Sequence, residues 1–295
     1  MTGGALLVVG DVVTDVVARH REPLAPGTDT AAEIRTLPGG AGANAACWAA
    51  RSGCRDVRLL GRVGARDASW HEDALRGAGV RPLLVVDGTA PTATVMALVD
   101  PTAERTFLTD SGAALRLAVG DWSPTLLEGV GHLHLSGYLF FGGTSRGAVR
   151  AALRDARAAG VPVSVDPASA GFLKEMGVAR FLAAAEGVDV LLPNADEARL
   201  LTGLDEPEAA ARALSRRFPL VAATLGAAGA LVAESGEVTA RVTAPSARAV
   251  DSTGAGDAFT GAFLAARLSG AAPSAAAEAG CRAGAEAVGR VGGRP

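Results

Sequence analysis

Apolar runs of strand length recur along the chain at 6–10, 57–63, 132–137, 161–167, 188–194 and 220–226. Between most of them lie segments whose apolar positions follow the helical period, at 43–52, 67–77, 144–159, 194–202, 206–217 and 257–269. The runs are too apolar to leave one face in water. The alternation therefore predicts an α/β fold, a doubly wound and mostly parallel sheet with helices on both faces. Two regions break this rhythm with half-polar, β-branched sequence: 12–18 with 31–38, and 92–110. They predict a small β lid built from excursions at 12–38 and 92–110. No repeat or low-complexity linker divides the chain, so the expectation is one domain over residues 1–295.

Ligands of doubly wound sheets bind beyond the carboxyl ends of the strands. Asp11 and Asp15 follow the first run, Asp166 ends VPVSVD, Asn194 follows VDVLLP, and Thr224 and Gly226 close LVAATLG. On an extended segment, Asp11 and Asp15 would project from the same side, where carboxylates can accept the paired hydroxyls of a sugar. Residues 251–268, DSTGAGDAFTGAFLAARL, add a different chemistry. Gly254, Ala255 and Gly256 would open a helix with unpaired N–H groups, a ready anion site, with Asp257 beside it. An anion cradle next to a carboxylate suits phosphoryl transfer to an alcohol, the acid taking the hydroxyl proton. The plainer reading is a glycine turn with Asp257 as an ordinary first-turn acid.

Composition narrows the partners. Hydrophobic residues make up 49% of 295, enough for a large core, and the net charge of −3 gives no attraction to nucleic acid or an anionic membrane. No apolar run approaches a membrane span, and MTGGALLVVGD lacks the basic segment of a signal peptide. Three cysteines, Cys47, Cys54 and Cys281, cannot all pair within the chain and match no zinc spacing, which fits a cytoplasmic protein with free thiols. Lys174 is the only lysine, and neither a P-loop nor a protein-kinase lysine strand is present. His132 and His134 alternate on HLHLSG and are expected to form a polar strand face rather than a metal pair.

The segment DSTGAGDAF closely resembles the C-terminal signature of the ribokinase-like, PfkB-type carbohydrate kinases, and PGGAGANAACWAARSG at 38–53 resembles their N-terminal one. VVGDVVTD at 8–15, PNADEARLLTG at 193–203 and TLGAAGA at 224–230 extend the likeness in order over nearly the whole chain. The resemblance implies ATP-dependent phosphorylation of a sugar or nucleoside hydroxyl on an α/β core with a β lid. It implies Asp257 as catalytic base and Gly254, Ala255 and Gly256 as anion hole. Gly39 and Gly40 become the lid hinge, Asn44 a substrate contact, and Asp15 the acid that binds substrate hydroxyls, with Asp11 in a position that varies in type. Asn194 and Glu197 correspond to a pair near Mg²⁺ and the phosphates, although the same NxxE also reads as a helix capping box. Asp166 joins that metal environment. Thr224, Gly226 and Gly229 lie by the nucleotide, and Arg105 on the lid would reach phosphates or an anionic substrate.

Gly40 to Ala45 also fits GxGxxA, but Glu33, Arg35 and Pro38 in the preceding segment suit a lid strand, not the buried strand that a dinucleotide fingerprint requires. After LLGRVG the family's usual Phe-Gly is replaced by Ser69-Trp70, while Asp67 is retained. Activation by K⁺, common in ribokinases proper, would draw on oxygens near Asp251 and 288–295. The expected function is a kinase for a primary hydroxyl of a small ribose- or fructose-like sugar. A nucleoside kinase, for adenosine or pseudouridine, is the alternative, followed by a catalytically idle sugar-binding protein. A homodimer formed through the edges of the lid is expected by the same analogy.

Overall fold

The computed structural model describes residues 3–101 and 105–295. Its strands are, in chain order, β1 Ala5–Val9, β2 Val13–His20, β3 Ala32–Gly39, β4 Val57–Gly64, β5 Val80–Asp87, β6 Ala93–Val99, β7 Arg105–Asp110, β8 Val130–Ser136, β9 Val163–Asp166, β10 Val190–Leu191, β11 Leu220–Thr224, β12 Ala230–Glu234 and β13 Glu237–Val242. The α-helices are α1 Ala41–Arg51, α2 Ala68–Gly77, α3 Ser145–Ala159, α4 Ala170–Met176, α5 Val178–Ala184, α6 Ala195–Thr202, α7 Pro207–Ser215, α8 Ala255–Leu268 and α9 Pro273–Ala287. The larger sheet runs β13-β12-β11-β10-β9-β8-β1-β4-β5. From β11 to β5 its neighbours are parallel, and β12 and β13 extend one edge antiparallel.

Both faces of this sheet are covered. Along β1, Leu6 and Val8 enter a core shared with α1, α2, α8 and α9, whereas Ala5, Leu7 and Val9 enter one shared with α3 to α7. Burial on both sides explains why these strands read as unbroken apolar runs. The elements without a sequence expectation are β5, the β12–β13 hairpin, α4, α5 and α9. Strand β5 carries Pro82 and lies at the sheet edge, where a missing N–H is tolerated. Helix α9, PSAAAEAGCRAGAEA, is built of small residues with little periodic contrast, and these let it approach α8 closely. A Cβ on Gly280 would lie 2.6 Å from the Phe259 ring.

The expected polar strand face at His132 and His134 is corrected here. Both are buried, and both ring systems meet the hydroxyl of Ser164 on the neighbouring β9 at 2.9 Å. Burial pushes their pKa values down to about 4 and about 3, aided by Arg267 beside His132 and by His132 beside His134. Two neutral imidazoles sharing one hydroxyl form a small satisfied network that an apolar neighbour could not replace. Ser164→Ala is expected to destabilise the protein by about 1–3 kcal/mol, read from denaturant unfolding midpoints.

The smaller sheet, β3-β2-β6-β7, is the lid. Strands β2 and β6 pair in parallel at its centre, with antiparallel partners outside. Val13, Asp15, Ala93, Val95, Phe107 and Thr109 fall on one face, toward the main sheet. The chain re-enters the core through Gly39 and Gly40. Gly40 has φ 99°, and any Cβ there would meet the carbonyl of Asp11, so only glycine suits this joint.

Candidate active site

A cavity of about 470 Å³ lies between the lid and the carboxyl ends of β1, β9 and β11. Helix α8 points its N-terminus into it, from Gly254 at φ 76°. A Cβ on Gly254 would collide with Gly293, so the DSTGAGD turn is seated against the segment 288–293. That seat is hydrogen-bonded: Asp251 Oδ2 accepts from the Gly292 N–H at 3.1 Å, and the Trp48 indole donates to the Gly293 carbonyl at 2.9 Å. The first turn of a helix has no internal acceptors for its N–H groups, and Gly256 and Asp257 of that turn line the cavity. Donors of this kind, at the positive end of a helix dipole, are what binding of an anion requires.

Asp257 lies in that first turn. Its Oδ2 accepts a hydrogen bond of 2.8 Å from Asn44 Nδ2, a residue of α1 that is 213 positions away in sequence. Burial pushes the carboxyl well above its ordinary pKa; Asn44 opposes this, and the charges of Asp166, Asp11 and Asp15 reinforce it. A carboxylate with a raised pKa is a stronger proton acceptor. The other amide atom of Asn44, Oδ1, is buried and has no partner among the described residues, so Asn44 is turned toward the acid.

Asp11 and Asp15 both line the cavity, but the expected geometry of one extended segment is corrected. Asp11 precedes β2 and faces α1. Its carboxylate accepts from Ala41 N at 2.8 Å, Gly42 N at 3.1 Å and Ser136 Oγ at 2.6 Å, which anchors the α1 N-terminus on the β1–β2 loop. Gly42 permits that anchorage, since a Cβ there would stand 2.6 Å from Gly10 Cα. Asp15 stands on β2 facing the cavity, and its pKa is raised to about 6 by burial and by Asp11, eased by Arg294 and raised again by Asp251. Gly39 is bare for its sake: a Cβ there would overlap the Asp15 carboxyl group.

Across the cavity, Asn194 and Glu197 form the complete capping box of α6, with Oδ1 of Asn194 accepting from Glu197 N and Glu197 Oε2 accepting from Asn194 N, each at 2.9 Å. Both nevertheless face the cavity. Asp166 accepts from Ala168 N at 2.8 Å and from Thr260 Oγ1 at 3.3 Å. Burial lifts Glu197 to about 8, with the charge of Asp166 second, and lifts Asp166 to about 6. Thr224 lines the wall, held by a bridge to Asn194. The TLGAAGA glycines do not line it. Gly229, at φ 104°, is needed because a Cβ would strike the Val242 carbonyl, a backbone reason independent of any nucleotide. Gly226, at φ 58°, sits in the turn after β11. Arg105 begins β7, and its side chain lies outside the described residues.

Three features were not legible in sequence. Tyr138 and Phe172, ring centroids 5.7 Å apart, make an aromatic wall with Phe107 opposite on the lid. Arg294 lies behind the hinge: one guanidinium nitrogen donates to the Gly39 carbonyl at 3.1 Å, while Nε and the other Nη are buried without partners among the described residues. Burial presses its own pKa down, yet its charge is what offsets the rise at Asp15. Only the scarcity of lysine hinted that an arginine would carry such a role. Finally, the described lining contains six acids, Asp11, Asp15, Asp110, Asp166, Glu197 and Asp257, and no lysine or arginine.

A sequence profile described as "pfkB family carbohydrate kinase" matches residues 5–295. A fructokinase from Klebsiella pneumoniae is 30% identical over 275 residues, 89% of this chain and 84% of that protein. Among solved structures, the adenosine kinase of Sinorhizobium meliloti superposes with a TM-score of 0.88 at 24% identity, covering 100% of this chain and 96% of its own. The ribokinase of Thermotoga maritima gives 0.83 at 26% identity, with 98% and 94% covered.

Proposed function

This chain belongs to the pfkB family of carbohydrate kinases, and from that premise we infer that it moves the γ-phosphoryl group of ATP, as its Mg²⁺ complex, onto a primary hydroxyl of a small sugar. The observation that carries this reading is the juxtaposition of α8's N-terminus, Asp257 and an acid-lined cavity. A polyphosphate would be repelled by six acids unless a divalent cation came with it. Among the described residues no group of three or more His, Cys, Asp and Glu is close enough to grip an ion directly. Glu197, Asn194 and Asp166 therefore suit Mg²⁺ that keeps its water shell, which is how this cation prefers to bind. When bound, the ion would screen the phosphate charge.

The chain's own residues do the rest. Asp257 takes the proton of the attacking hydroxyl. The N–H groups of Gly256 and Asp257 stabilise charge on the transferring group, with Gly254 and Ala255 forming the turn that presents them. Asp15 accepts sugar hydroxyls, and Asn44 orients Asp257 and neighbours the substrate. Thr224 stands toward the nucleotide side, with Gly226 and Gly229 shaping the turn behind it. Gly39 and Gly40 let the lid close and exclude water, which would otherwise be phosphorylated in place of sugar. The lid's outer face leaves Ile34, Met96 and Leu108 exposed at 64%, 40% and 55%, the kind of surface a homodimer would cover. The same reading makes the protein cytoplasmic, in keeping with its free thiols.

The aromatic wall of Tyr138 and Phe172 favours a second reading, a nucleoside kinase, because a flat base would stack there. Thermal shift separates the two: ribose or fructose should raise the melting point by mass action in the first case, adenosine in the second. The primary test is ADP release from Mg-ATP across pentoses, hexoses, sugar phosphates and nucleosides. Acceptor-dependent ADP formation supports the kinase reading, and its absence across the panel would favour a sugar-binding protein.

Arg294→Gln bears on the role of Asp15. Removing the cation raises the Asp15 pKa further, so the carboxylate form is lost at higher pH. The acid limb of the kcat/KM profile is expected to shift upward, with Arg294→Lys restoring part of it.

A further inference from the structure

A second cavity, about 650 Å³, lies on the opposite side of the aromatic wall, between α3 and α5. Arg146, Arg150, Arg154 and Arg157 recur along α3 at spacings of four, four and three, which keeps all of them on one helix face. Arg180 joins them from the first turn of α5, an end where the helix dipole disfavours a cation. Among the described residues Glu186 is the one acid in the lining. The chain as a whole has a net charge of −3, so this concentration of positive charge is local, not a consequence of overall basicity.

Internal neutralisation is slight. Arg154 pairs with Asp155 at 2.9 Å, and Arg146 reaches the Phe140 carbonyl at 3.5 Å. Among the described residues, Arg150 and Arg180 have no acidic partner within ion-pair distance, and Arg157 lies instead against Gly187, where a Cβ would collide with its guanidinium. The floor is apolar, with Val149, Leu153 and Met176. Like charges ranged along one face repel each other, and among the described residues the Arg154–Asp155 pair is the one ion pair that offsets the repulsion.

We propose that this groove binds a small molecule carrying two or more phosphate groups. Guanidinium forks match phosphate oxygens in bidentate geometry, several of them converge here, and the apolar floor accepts the ring or carbon skeleton that bears the phosphates. The four arginines of α3 span roughly 16 Å along the helix axis, the extent of one such molecule and short for a nucleic acid. The site is separate from the catalytic cavity but shares its wall. The turn Gly137–Phe140 presents Tyr138 to the catalytic side and Phe140 to the groove, and α4 presents Phe172 to one and Met176 to the other. An occupant would thus press on elements that shape the substrate pocket.

The test is calorimetric titration of the full chain with inorganic tripolyphosphate at physiological salt. Three proteins are compared: wild type, Arg150→Gln/Arg180→Gln, and Arg21→Gln/Arg55→Gln, which removes the same charge from exposed positions outside the groove. The catalytic cavity is the same in all three, so any binding there cancels in the comparison. The groove variant is expected to lose one binding event or at least tenfold in affinity, with its melting point and the control's affinity unchanged. Equal binding by wild type and groove variant overturns the proposal, as does an equal loss in the control, which would mean general electrostatic attraction only. Preference for a short single-stranded RNA with no measurable tripolyphosphate binding overturns it as well.

Discussion

Asp257→Asn is expected to lower kcat about 10²–10⁴-fold, the range attributable to one positioned general base. The substitution keeps size and shape, and its amide oxygen can still accept the 2.8 Å hydrogen bond from Asn44. The α8 N-terminus is untouched, so the affinity for Mg-ATP, measured by titration, should change little. Loss of turnover with retained nucleotide binding would identify the side chain as proton acceptor. A variant within tenfold of wild type would show that the base lies elsewhere, and the adjacent acids Asp15 and Asp166 would then be the residues to replace.

Glu197→Gln is expected to raise the Mg²⁺ concentration required for half-maximal activity by 10–100-fold, the usual cost of removing a group that orients a metal's surroundings. It has a second readout that needs no substrate. The folded-state pKa of Glu197 is raised from 4.5 to about 8, chiefly by burial and next by Asp166. A group raised on folding stabilises the folded state while protonated, and that stability is lost as pH rises through its folded pKa. Between pH 6.5 and 8 the metal-free wild type should therefore lose stability relative to Glu197→Gln, on the order of 1–2 kcal/mol. The buried histidines contribute equally to both proteins and drop out of the difference. Parallel stability curves for the two proteins across that window would show that Glu197 stays ionised and has a charge partner.

Residues near one another in sequence account for what could be read early. The strand runs are legible because both faces of each are buried, which leaves no polar alternation to blur them. DSTGAGD announces a glycine-led helix start with an acid in its first turn because these residues are contiguous, and α8 begins there. The capping box at Asn194 and Glu197 is equally local, and it stands in the structure with both of its bonds. The lid showed itself by its half-polar, β-branched excursions.

What the chain could not announce locally depends on distance in sequence. Nothing near Asn44 indicates that its amide meets Asp257, 213 residues away, or that Asp11 turns from the lid to anchor α1. Arg294 reads as one arginine among many until it is found against the Gly39 carbonyl, 255 residues distant. The pKa shifts share this origin: each acid is ordinary alone, and burial beside the others in one cavity raises it. Hydrophobic periodicity and turn chemistry act within a few residues and so determine the elements and the motifs they carry. Burial, charge coupling and hydrogen bonds between elements exist only once the sheet, helices and lid are assembled, and they decide which motif residues face one another and in what protonation state.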